Sequence, residues 1–435
     1  MSAQMTIGSM SGAKIAAAPS AVLIVYAGAL LQGMTLVSFP AVSAMLKQTL
    51  ALSDADYGAI FLPQVALAIV GAVAGGALAR KIGLKALFAV ALAANAASQV
   101  LLAGSDFASP SGGVVLLLAG TASLGLGFGL LGGPINAYPG LLFPRGSQTA
   151  LVAAHTLIGL GLAIGPLIAG PFIAVGTWFG FPISLASACA IAAIAALLIR
   201  LPQSATPVAA DETKSTRPVA SPIFWLFAAI TVIYAFAEGT FSSWAVIFLG
   251  DGKGLPDMTA SFALSAFWGA LVAGRLLVSV LIVRVPAKII WVALPVLMIA
   301  AFWLVSFADS AATGIGAFAV AGLACSAFLP LTISLAVDRF PDSVAWVSSM
   351  LIAALMTGVG VGSWLVGGLQ AHLPLDALYR LSSLYPILVL ALARLALRSS
   401  PGAELGLSTA VAARRRVAPR SASSAVSPRV VNGPD

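Results

Sequence analysis

The chain has 435 residues, of which 60% are hydrophobic and 8% charged, with a formal net charge of +8. Soluble domains carry about 25% charged residues, so this composition excludes a solvated globule and leaves room for about a dozen membrane spans. The two cysteines, Cys189 and Cys325, both lie in apolar runs, which excludes a disulfide framework and a cysteine metal site.

Residues 1–19 are small and polar, with Lys14 as their one charge. The first apolar run, Ala21–Leu46, is longer than the ~7–15-residue core of a signal peptide and reads as a retained helix. Further runs lie near 57–79, 84–104, 113–142, 148–174 and 178–199. A polar stretch, Gln203–Ser221, containing Asp211, Glu212, Lys214 and Arg217, interrupts the pattern. Runs near 222–250, 259–283, 287–307, 311–337, 343–371 and 377–398 follow it. The expected architecture is all-α: twelve transmembrane helices in two six-helix bundles, at 20–201 and 222–398, joined by a linker at 202–221. Gly- and Ala-rich runs suit close helix contact in lipid. The Ser-, Pro- and Arg-rich segment 399–435 reads as a disordered basic tail. Its Arg414–Arg416 cluster is either a solvated topology anchor or a contact for anionic lipid headgroups.

Loop charge sets the expected orientation. Alternate loops hold Arg80, Lys81, Lys85, Arg145, Lys214, Arg217, Arg284, Lys288 and Arg339, on the same side as Lys14 and the arginines of the tail. The other set holds Lys47 and Lys253, with Arg380 just inside the last span. Positive loops stay inside, so both termini are expected in the cytoplasm, with the chain in the inner (plasma) membrane. The basic excess is then a topology signal rather than a nucleic-acid footprint.

The seventh run carries Glu238 near its middle. A charge at that depth costs roughly 2.5–3.5 kcal/mol on insertion scales, and intramembrane acids mark functional sites. Glu238 is the candidate proton carrier or solute ligand, against the alternative of a carboxylate satisfied by Ser242, Ser243 or another helix. Tyr234 lies one turn earlier on the same face, as a cap, a solute contact or plain packing. Arg275 is the second deep charge. At 1.5 Å per residue, Glu238 sits ~24 Å and Arg275 ~13 Å from the cytoplasmic side. A gating role for Arg275 is therefore favoured over a direct pair with Glu238, with contact to lipid or solute as the remaining alternatives.

Gly28, Gln32, Thr35 and Phe39 share one face of the first helix. That face is expected to look inward, with Gln32 either a solute ligand or interhelix glue. His155 is a candidate proton relay, or a neutral ring bonded to a carbonyl. Asn136, between Pro134 and Pro139, either contacts solute or satisfies backbone freed by a broken helix. Trp244, Trp268 and Trp364 are candidate cavity linings, and Trp178, Trp225 and Trp291 candidate interface anchors.

The stretch Gly76-Ala-Leu78-Ala79-Arg80-Lys81-Ile-Gly83-Leu-Lys85 resembles the loop that joins helices 2 and 3 in the major facilitator superfamily, Gly-x-Leu-Ala-Asp-Arg-x-Gly-Arg-Lys. Arg80 occupies the acidic position. The repeat of this motif after helix 8 keeps Arg284 and Lys288, with Val283 where the acid would be. Arg80 and Arg284 are the gating residues the resemblance suggests, beside Arg275 from its depth, without the acids on which the family builds its cytoplasmic latch. Tyr234…Glu238-Gly239 with Trp244, Phe267-Trp268-Gly269 with Gly274-Arg275, and Asn136 with His155 resemble the fucose-permease-like branch. Gly161-Leu-Ala-Ile-Gly165-Pro166-Leu-Ile-Ala169-Gly170 is similar to the antiporter signature of the same superfamily, with Ala169 replacing a glycine.

The expected function is secondary active transport of a small organic solute, sugar-like or amphipathic, by alternating access. Gln32, Asn136, His155, Tyr234, Glu238, Trp244 and Trp268 are the expected solute contacts, and Glu238 and His155 the expected proton carriers. The expected partners are a solute, a proton and the bilayer, with the chain a monomer and no cofactor, metal or nucleic acid bound. A proton-antiporting exporter of lipophilic compounds is the alternative within transport, and a non-transporting solute sensor the alternative outside it. No catalytic constellation for an enzyme is legible.

Overall fold

A computed structural model describes residues 18–202 and 218–398. Most of the expected N-terminal segment, linker residues 203–217 and the basic tail from residue 399 lie outside the described residues.

Among the described residues, twelve helices are long and apolar enough to cross a membrane. They are α1 (Pro19–Ala41), α2 (Asp54–Ile82), α3 (Leu84–Phe107), α4 (Pro110–Leu142), α5 (Thr149–Ala174) and α6 (Gly180–Leu198), then α7 (Pro222–Gly250), α8 (Asp257–Leu281), α9 (Ala287–Ser306), α10 (Ala311–Val337), α11 (Trp346–Leu369) and α12 (Leu375–Arg398). No strand occurs among the described residues.

Their starts follow ordinary capping chemistry. Proline opens α1, α4 and α7, where its missing N–H costs nothing. Ser53 and Asp56 form a capping box at α2, and Ser310 and Thr313 another at α10. The expected first run, Ala21–Leu46, is in fact two helices. Pro40 ends α1, and a short helix, Ser43–Leu50, continues at the end of the bundle far from the termini. α10 is interrupted between Cys325 and Phe328. The expected break beside Asn136 does not occur: α4 runs unbroken through Pro134 and Pro139.

Glycine sets the packing. A Cβ on Gly33 would collide with the Ile158 carbonyl, and one on Gly161 with the Leu30 carbonyl, so α1 and α5 touch backbone to backbone. Gly125 and Gly129 do the same for α4 on α2, and Gly322 for α10 on α8. In α7, Gly239 lies against Val359 of α11.

The first six spans meet the last six chiefly through α2 on α11 and α5 on α8. Gly58 lies against Ser363 and Trp364, Gly367 against Asp54, and Gly170 against Phe262. Tyr57 donates to the Ser243 carbonyl at 2.9 Å and Ser261 to the Ala41 carbonyl at 3.2 Å. These contacts all fall at the end opposite the termini. The glycine contacts between the halves reach inward only to Gly360 against Val65 and Gly159 against Val272. Asn136 and His155, nearer the termini, are exposed. The molecule is thus a wedge, closed at the far end and open toward the end that carries the termini.

Candidate functional site

Glu238 projects from the middle of α7 and is 7% exposed. Tyr234, one turn earlier, places its hydroxyl against the Glu238 carboxyl and also 2.9 Å from the Cys325 carbonyl oxygen. That carbonyl belongs to the interruption in α10, where the helix lacks its regular ladder. Phe328, at the start of the second part of α10, packs on the Tyr234 ring at 4.9 Å. The expected link between Tyr234 and Glu238 is therefore present, and it extends to a third element that the sequence did not indicate.

A phenol has one hydrogen to donate. With Glu238 ionised, the carboxylate and the Cys325 carbonyl compete for it. With Glu238 protonated, the acid donates to the phenol and the phenol to the carbonyl, so every group is satisfied. The protonation state of Glu238 thus sets whether α7 and the break in α10 are fully bonded.

Arg275 sits on the cleft side of α8, half-buried, and its Nε donates to the Ser326 carbonyl at 3.0 Å. No carboxylate pairs with it among the described residues. The direct pair with Glu238 is absent, although the guanidinium charge acts on Glu238 and, across the cleft, on His155. His155 of α5 and Asn136 of α4 form their own bond, Nε2 to Oδ1 at 3.0 Å, on the opposite wall. Asn136 is not consumed by freed backbone.

Other expected solute contacts lie elsewhere. Gln32 is 2% exposed and accepts from Asn95 of α3 at 2.9 Å, inside the first six-helix group. Gly28 on the same face abuts Phe88, and Phe39 meets Gly120. The expected inward-looking face of α1 is a helix seam, and Gln32 is glue in it. Trp244 is fully buried, with its ring edge-on to Tyr57 at 5.1 Å, which closes it off from solute in this conformation. Trp268 is half-buried beside Phe267, and its indole N–H has no partner.

Of the expected interface tryptophans, Trp225 is exposed, whereas Trp291 is buried and donates to Thr332 at 2.8 Å. Trp178 is also buried and donates to Asp106 at 3.0 Å. Arg80 and Arg284 are exposed with no ion pair among the described residues, so they form no latch at the open end.

The closed end does carry a latch, one the sequence reading missed. Lys47 lies 2.7 Å from Asp54 in its own half and 2.9 Å from Asp251 at the end of α7. Burial works to lower the Lys47 pKa, but the two acids more than offset it and hold it above the ordinary 10.5. Sequence spacing gave no signal for it, because the pair spans 204 positions. A second missed feature is a crevice between the halves, lined by Phe61, Gln64, Val65, Phe128, Met356 and Val359. Gln64 supplies its one amide.

Twelve helices among the described residues that are long and apolar enough to cross a membrane define a multi-pass membrane protein. The family model of the Major Facilitator Superfamily matches residues 22–314, well over half of the chain, and the chain belongs to that superfamily: it is a transporter, not an enzyme. Solved structures agree in fold. The bacterial homologue of the human lysosomal transporter Spinster, inward-facing and occupied, matches with TM-score 0.68 at 16% identity, over 87% of this chain and 96% of that one. The nucleoside transporter NupG matches with TM-score 0.67 at 16% identity, over 87% and 99%. A D-xylose–proton symporter matches with TM-score 0.69 at 16% identity, over 86% and 96%. No curated protein sequence matches the chain significantly.

Proposed function

We propose that this chain is a proton-coupled secondary transporter of a small organic solute in the inner membrane, with both termini cytoplasmic. The observation that carries the coupling is the Tyr234 hydroxyl, shared between Glu238 and the Cys325 carbonyl. Protonation of Glu238 completes the chain of bonds from α7 to the break in α10, and deprotonation leaves one acceptor short. An ionisable group that biases a bonded element in this way links proton uptake to conformation. In the wedge described above, Glu238 lies beyond Asn136 and His155 as seen from the open end, and alternating access exposes it to either side in turn.

Flux of labelled solute into proteoliposomes under an imposed pH gradient tests this reading. Glu238→Gln is expected to retain exchange and to lose acceleration by the gradient. The same acceleration in wild type and variant would remove Glu238 from the coupling step.

The exporter reading rested on the glycines of α5. Gly161 and Gly165 abut Leu30 and Val37 of α1, and Gly170 abuts Phe262 of α8. Close packing accounts for those glycines, so they favour neither direction of transport.

A further inference from the structure

We propose that Arg275 is the anchor for a carboxylate on the transported solute, which makes the substrates organic monocarboxylates; the proposal rests on the transport reading above.

Arg275 is a fixed cation at membrane depth with no ion pair among the described residues. It is half-buried on the cleft side of α8, and no acid pairs with it among the described residues. An unpaired charge at such a place is destabilising and is kept where something is bound. Glu238 does not neutralise it by contact, because its carboxyl is turned to Tyr234.

The geometry selects the ligand. The Nε of Arg275 is committed to the Ser326 carbonyl, and Gly274 beside it packs directly on the Ser326 side chain. This fixes the plane of the guanidinium and leaves the edge formed by its two terminal nitrogens without a partner among the described residues. Two parallel N–H groups on one edge match the two oxygens of a carboxylate. Across the cleft, His155 is bonded to the carbonyl oxygen of Asn136, which leaves the Asn136 amide N–H groups without a partner among the described residues. They are further donors on the opposite wall. One fork and one set of neutral donors suit a single carboxylate. On α8, the half-buried Trp268 lies seven residues before Arg275 on the same face and offers an aromatic surface.

The test uses the full chain purified into nanodiscs. Thermal shifts are measured with straight-chain acids from acetate to hexanoate and with benzoate, each against its amide. At least one acid is expected to raise the melting temperature where its amide does not. Arg275→Gln is expected to weaken that acid about tenfold or more. Arg275→Lys, which keeps the charge and loses the fork, is expected to weaken it several-fold and is the working comparison where Arg275→Gln does not fold. The proposal is overturned if no acid outperforms its amide, or if both variants bind the best acid as wild type does. Flux of the best acid into proteoliposomes separates the two layers. Binding without flux supports the Arg275 anchor and sinks the transport reading. Flux that is equal for acid and amide sinks the anchor and leaves transport standing.

Discussion

Lys47 and Asp251 stand 2.9 Å apart although they belong to different halves of the molecule, and Lys47 also holds Asp54 at 2.7 Å. The cluster ties the end of the first helical segment to the start of α2 and the end of α7, so it bolts the closed end of the wedge. Lys47→Ala is expected to raise the population open at that end. Partly exposed ion pairs are worth up to about 1 kcal/mol, so the change is about fivefold at most. Distances between spin labels placed on the far ends of α1 and α7 measure it. The exchange Lys47→Asp with Asp251→Lys returns a cation to the same cluster and is expected to restore the wild-type distance distribution.

The clasp has a defined pH window. Lys47 is held above its ordinary 10.5, so its contribution is fully present below that value and is lost only as pH rises through the still higher value of the folded protein. Spin-label distances at the far end are therefore expected to stay constant from neutral to mildly alkaline pH in Glu238→Gln. Any pH response of that variant in this range would have to come from a group other than Lys47.

Tyr234→Phe removes the hydroxyl and keeps the ring on Phe328. It leaves the buried Glu238 and the Cys325 carbonyl without their bridge. A buried polar group stripped of its partner costs about 1–3 kcal/mol. The variant is expected to melt earlier than wild type. Combined with Glu238→Gln, the loss should fall short of the sum of the single variants, because both act on one bonded chain. Strict additivity in thermal unfolding would contradict the shared hydrogen.

Gly58→Ala addresses closure without touching charge. The new Cβ would stand 2.7 Å from the Ser363 carbonyl oxygen, across the boundary between the halves. Backbone cannot yield as a flexible side chain can, so closure at the far end is obstructed. The expected result is a folded protein with normal yield, longer far-end distances and slowed transport. Gly33→Ala places its Cβ into the Ile158 backbone within one half and is expected to lower folded yield instead.

Gln32→Met separates glue from ligand. Loss of the bond to Asn95 in a fully buried seam is expected to cost about 1–3 kcal/mol of stability. The KM for solute is expected to stay at the wild-type value, since Gln32 is turned away from the cleft. A raised KM at unchanged melting temperature would return Gln32 to the solute site.

The span count, the all-helical class and the superfamily were legible because each rests on a one-dimensional signal. Apolar length reports a span, and short motifs report the family. The pairing of Tyr234 with Glu238 was legible too, because positions four apart on a helix share a face. The face of α1 was legible as a face while its partner was not, for a related reason. Gly28, Gln32, Thr35 and Phe39 do form one face, but periodicity states which residues share a face and not what that face meets. In lipid, a polar stripe turns equally well to a cleft or to another helix, and here it turns to Asn95 and Phe88.

Composition and spacing by themselves determined that this chain is a bundle of lipid-soluble helices with an acid and a guanidinium at depth, because the bilayer penalises each such group wherever the helix is placed. Only the tertiary structure decided which groups meet: Lys47 with Asp251, Tyr234 with the Cys325 carbonyl, and Arg275 with the Ser326 carbonyl. Those partners are tens to hundreds of residues apart, and their contact is set by where the glycines let the helices approach.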